Sequence, residues 1–115
     1  MEVSSAIGPL PAAESFAFCL RLRPGTEDEY KRRHDEIWPE MRAMMHDAGI
    51  LHYEIHLRRD DGSLFAFIVR RPGSTMAGFP ANPVWQRWQK HMADILIQDA
   101  SGGPLRTPLE RVFRL

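Results

Sequence analysis

From Ser15 the chain alternates. Phe16, Phe18, Leu20 and Leu22 fall on one face, with Ala17, Cys19, Arg21 and Arg23 on the other. That period of two predicts a first strand, which Pro24-Gly25 ends. The period then changes. Thr26 followed by Glu29 three positions on reads as a capping box, and Glu27 and Asp28 suit the positive end of a helix dipole. An inward stripe follows at three- and four-residue spacing: Tyr30, His34, Ile37/Trp38, Met41, Met44/Met45 and Ala48. Pro39 lacks a backbone donor and disfavours helical geometry at Trp38, so the helix is expected to kink or restart with Pro39 in its first turn. Gly49 closes it.

Alternation returns at about 50–58, with Leu51, Tyr53, Ile55 and Leu57 facing the core and His52, Glu54, His56 and Arg58 facing away. Asp60-Asp61-Gly62-Ser63 is a hairpin signal. The third strand, Leu64 to Val69, is apolar on both faces and must be covered on both sides. A looser stretch, Arg71 to Ala81, leads to Asn82-Pro83, a cap residue and a first-turn proline. The helix beginning there has the stripe Trp85, Trp88, Met92, Ile95/Leu96, and a last strand is expected at about 108–114 after Ser101-Gly102-Gly103-Pro104. The order β-α-β-β-α-β is that of the ferredoxin-like α+β fold: an antiparallel sheet with strands one and three central and two helices on one face. Two helices cover only one face. A second copy of the chain is the economical cover for the other, so a homodimer is expected. Residues 1–14, with Pro9 and Pro11 and no periodicity, read as a flexible N-terminal arm, leaving 15–115 as a single domain.

Composition narrows the function. Lys and Arg total 15 and Asp and Glu total 15, and the basic run Lys31-Arg32-Arg33 is flanked by acids, so no nucleic-acid face is expected. No apolar run is long enough for a membrane span, and the N-terminal stretch lacks the form of a signal peptide. Cys19 is the one cysteine, which allows no internal disulfide and fits a reducing, cytoplasmic setting. Its position on a strand, with no base nearby in sequence, reads as a buried inert thiol.

The candidate chemistry begins with an anomaly. Tyr30 and His34 stand one turn apart where periodicity expects apolar residues. Half-buried groups satisfied by backbone carbonyls are one reading; a site is the other, and it needs convergence from Tyr53, Trp85 and Trp88. Aromatic walls with a few placed polar groups hold the apolar faces and hydroxyls of sugars. His52 and His56 lie about 13 Å apart at 3.3 Å per strand residue, too far to share one metal ion. No Cys/His cluster supplies zinc ligands and no glycine-rich loop cradles phosphate. A reaction without metal or cofactor, or a binding role, remains.

The segment Tyr30-Lys31-Arg32-Arg33-His34-Asp35-Glu36-Ile37-Trp38-Pro39-Glu40 closely resembles the YxxRHxxIWPE signature of the L-rhamnose mutarotase family. Tyr53 in its strand, Leu64-Phe65-Ala66, Gln86-Arg87-Trp88 and Leu109-Glu110-Arg111-Val112-Phe113 fall in the family's order, over about residues 16–115. The resemblance implies a dimeric α/β barrel and an isomerase of carbohydrate metabolism that interconverts the α and β anomers of L-rhamnose. It also implies His34 as the proton donor and Tyr30, Tyr53 and Trp88 as sugar contacts. Gln89 stands where family members often carry a second tryptophan, so a hydrogen bond to a hydroxyl is expected there in place of stacking. The alternatives are a cofactor-free oxygenase on the same barrel and a non-catalytic sugar-binding dimer.

Overall fold

The computed structural model describes residues 13–115. Its elements run β1 (Glu14–Arg21), α1 (Glu27–Asp35), α2 (Pro39–Asp47), β2 (Ile50–Arg58), β3 (Ser63–Arg70), a 3-10 helix (Met76–Ala81), α3 (Pro83–Met92) and β4 (Thr107–Leu109). The strands form one antiparallel sheet in the order β2-β3-β1-β4. Strands one and three are therefore central, as the element order predicts.

One face of this sheet is packed by the helices. Phe18, Leu22, Leu64, Ala66 and Ile68 are buried there, beneath Tyr30, Met41, Trp88 and Met92. The alternate residues point the other way. Ala17, Cys19, Phe65, Phe67 and Val69 are only half-buried, and the register places Ala17 opposite Phe67 and Cys19 opposite Phe65. Cys19 is thus not the fully buried thiol that the sequence suggests. Towards the β2 edge this outer face turns polar, where Glu54 lies between His52 at 3.4 Å and His56 at 3.3 Å.

Several expectations give way to tertiary structure. The long first helix is two helices: Trp38 is extended (ψ 136°) and Pro39 opens α2, because a residue before proline avoids helical geometry. The capping box does not form. Thr26 Oγ1 turns back to donate to the Arg23 carbonyl at 2.7 Å, while Glu29 is held by Arg32 and Arg33 through charge-assisted bonds. In β2 a register shift between Ile50 and His52 buries Ile50 and leaves Leu51 61% exposed, since one extra residue reverses which side chains face the core. Glu14, assigned to the arm, already belongs to β1 and is bound to Arg70 at 2.9 Å. The rest of the proposed arm, residues 1–12, lies outside the described residues.

β4 is shorter than expected. Its ladder with β1 stops at Leu109 opposite Ala17, because the Arg111 guanidinium donates to the Ser15 carbonyl and occupies the next acceptor along the edge. Val112, Phe113 and Leu115 beyond it are exposed.

Candidate active site

The acidic start of α1 brings Tyr30 and His34 onto the side facing the sheet. Tyr30 is 6% exposed, and the His34 ring lies over it with centroids 4.3 Å apart. His34 Nδ1 is 3.1 Å from the Tyr30 backbone oxygen. A carbonyl only accepts, so Nδ1 carries the proton, and in the neutral ring Nε2 is left with a lone pair. Burial pushes the His34 pKa below its ordinary 6.5, opposed by the Tyr30 carbonyl bond and by Asp35. At neutral pH the ring is therefore uncharged and ready to accept a proton at Nε2.

Trp88 reaches the same place from α3. Asn82 caps that helix through the Val84 amide at 2.8 Å and Pro83 begins it, as the sequence predicts. Trp88 meets His34 edge-on, with centroids 5.4 Å apart at 88°, and meets Trp38 in the same manner at 5.1 Å. At 5% exposure it belongs to the core as well as to the site. His91 adds a further ring, stacked obliquely on Trp38 and Trp88; periodicity gave no sign of it.

Tyr53 enters from β2, opposite Ile68, and packs with Phe18, Phe79 and Ile68. Burial raises the pKa of both phenols, and each keeps its proton at neutral pH. Gln89 is half-buried on α3 beside Trp88 and lines the cleft. Trp85 instead packs on Phe79 at 5.0 Å, joining the 3-10 helix to α3. That 3-10 helix has no periodic signature, and its buried Phe79 went unread for this reason.

Among the described residues, every buried side-chain nitrogen and oxygen has a hydrogen-bond partner. Among the described residues the Tyr30 and Tyr53 hydroxyls and the Trp88 indole N–H have no hydrogen-bond partner, so each keeps some contact with solvent. The cleft, 1510 Å³ in volume, runs between the helices and the sheet, and Tyr30, His34, Tyr53, Trp88, Gln89 and Arg106 all line it. The five candidate residues thus all line one cleft. Arg106 is an addition. It follows the Gly102-Gly103-Pro104 turn, where no periodicity speaks, and its guanidinium carbon lies 3.7 Å from the centre of the Phe18 ring. No group of three or more His, Cys, Asp or Glu among the described residues converges as a metal site.

Strand order and cleft together define a ferredoxin-like α+β domain with a neutral histidine set among aromatic rings and phenols. Comparison with known proteins gives this class a family. The family model described as L-rhamnose mutarotase matches residues 15–115. A protein named L-rhamnose mutarotase from Acidiphilium cryptum is 49% identical over 102 residues, covering 89% of this chain and 98% of the relative. One of the same name from Brucella anthropi is 42% identical over 102 residues, covering 89% and 96%. The crystal structure of L-rhamnose mutarotase from Formosa agariphila superposes with a TM-score of 0.80 at 32% identity, covering 89% of this chain and 98% of that one. The chain belongs to the L-rhamnose mutarotase family.

Proposed function

We propose that this protein is an isomerase that interconverts the α and β anomers of L-rhamnose, with His34 moving the proton. The observation that carries the reading is the His34 ring itself: Nδ1–H is fixed on the Tyr30 carbonyl, and Nε2 is left as the basic atom beside Tyr30 and Trp88. Family membership supplies the substrate.

Anomer exchange breaks and remakes one bond. As His34 Nε2 takes the proton of the anomeric hydroxyl, the C1–O1 bond becomes a carbonyl, the C1–O5 bond breaks, and O5 takes a proton. Rotation about C1–C2 turns the aldehyde over, and reclosure reverses each transfer. The resemblance assigned His34 as the donor. Its lowered pKa puts acceptance first, with His34 the donor on the return, when Nε2–H restores the proton to O1. The donor to O5 is the Tyr30 hydroxyl or a bound water, since the raised phenol pKa keeps that hydroxyl protonated. Positioned acid–base help of this kind is worth about 10²–10⁴-fold, and the chemistry requires no electron carrier. Tyr53, Trp88 and Gln89 contact the sugar. The test is saturation transfer between the anomeric protons of L-rhamnose, with and without the protein.

The active molecule is a homodimer closed into an α/β barrel, and it works in the cytoplasm. The half-buried apolar row of Ala17, Cys19, Phe65, Phe67 and Val69 supports the dimer, because a second copy buries it. Among the described residues no helix is long and apolar enough to cross a membrane.

A further inference from the structure

The cleft has two ends. His34 stands over the core cluster of Tyr30, Met41, Leu64 and Trp88, whereas Arg106 stands over Phe18 of the second, which also contains Ile68 and Phe79 and has Tyr53 packed against it. Leu20, Met44, Ile55 and Trp85 pack against both and join the two floors.

Arg106 differs from the arginines paired along the surface. Arg32, Arg33, Arg58 and Arg70 each meet a carboxylate within hydrogen-bond distance. The guanidinium of Arg106 meets an aromatic face, and it lines the same cleft as Tyr53. Stacking on Phe18 occupies one face of the guanidinium plane and leaves its N–H edge, a fixed fork of donors, directed away from the ring. The backbone around it is held on both sides. Leu105 N–H donates to the Ile97 carbonyl at 2.8 Å, and Pro108 sits opposite Phe18 in the β1–β4 ladder. Arg106 is exposed and, among the described residues, pairs with no carboxylate, so its fork is open to an external acceptor in the cleft that it lines.

We propose that Arg106 is a sugar-binding residue that donates paired N–H bonds to adjacent ring hydroxyls, anchoring the substrate at the Tyr53 end of the cleft while the anomeric carbon reaches His34. Two neighbouring hydroxyl oxygens present the spacing that a guanidinium fork fits, and Arg106 and His34 line the one cleft. The hydroxyls held in this way do not change on ring opening, so the bonds form equally in ground state and transition state. Arg106 therefore acts on affinity and leaves the chemical step alone.

The proposal rests on the sugar occupying this cleft, and two readouts separate the claims. Exchange kinetics of Arg106→Gln should show KM for L-rhamnose raised about 10- to 100-fold, the size of a hydrogen bond to a charged group, with kcat within about threefold of the parent. L-rhamnose titrated against tryptophan fluorescence should show the same loss in Kd, and this holds even if the unaltered protein accelerates no exchange, in which case the isomerase reading alone falls. Should Arg106→Gln not fold, Arg106→Lys decides, because it keeps a cation over Phe18 but loses the fork: a KM at least tenfold above the parent supports the assignment. Parental KM and Kd in a folded variant overturn it.

Discussion

Trp88 carries two roles that a single substitution separates. The tryptophan is 5% exposed, and it touches His34, Trp38 and His91 ring to ring. An aromatic side chain buries about 150–250 Å², which at 25 cal/mol per Å² amounts to roughly 4–6 kcal/mol. Alanine retains part of that area, whereas the cavity left behind adds cost, and truncations of this kind run at about 3–5 kcal/mol. A chain of 115 residues has about 6–17 kcal/mol to lose at the usual stability per residue. Trp88→Ala should therefore stay folded in the cold and melt about 10–25 °C below the parent, at several degrees per kcal/mol for a domain of this size. A pure substrate wall would behave otherwise, with a raised KM, an unchanged kcat and an unmoved melting curve. Because the indole also meets the His34 ring edge-on, kcat should fall together with affinity when both are measured at a temperature where the variant is folded. Calorimetry and anomer-exchange kinetics on Trp88→Ala and Trp88→Phe make the comparison. An alanine variant that melts within about 4 °C of the parent would refute the core assignment.

Three further outcomes are expected. Burial holds His34 below 6.5, so if the neutral ring is the base, as proposed, kcat/KM should be level through neutrality and fall at lower pH with a midpoint below 6.5; a pH–rate profile whose acid limb has its midpoint above 6.5 contradicts this. Stability moves in the same direction in that window, because the unfolded chain binds the proton that the folded one resists. Tyr30→Phe removes the hydroxyl that faces the cleft but keeps the ring under His34, so kcat should drop about tenfold or more with little loss of melting temperature. On the outer face, Phe67→Asp places a charge in the centre of the apolar row, and sedimentation should show a dimer for the parent at micromolar concentration and a monomer for the variant.

Much of the fold is legible because its periodicities are local. Phe18, Leu20 and Leu64 announce β1 and β3, and Asn82-Pro83 announces α3. The candidate site is legible through two polar residues in an apolar stripe together with the family resemblance of the segment Tyr30 to Glu40. What escaped depends on distant parts of the chain. Arg106 gains its meaning from Phe18, nearly ninety residues away in sequence. Phe79 is buried by Trp85 and not by any pattern of its own, and a single bulge exchanges Ile50 for Leu51 in the core. Thr26 and Glu29 satisfy the spacing of a capping box, yet the Arg23 carbonyl and two arginines outcompete it.

The central claim is that His34 moves the proton, and saturation transfer on the anomeric protons of L-rhamnose tests it most directly. The parent protein should transfer saturation between the α and β signals far faster than buffer does. His34→Ala should bring the rate back to within about tenfold of buffer, while keeping a cooperative melting transition and binding L-rhamnose as judged by tryptophan fluorescence. A folded His34→Ala protein that exchanges the anomers at the parental rate would contradict the account.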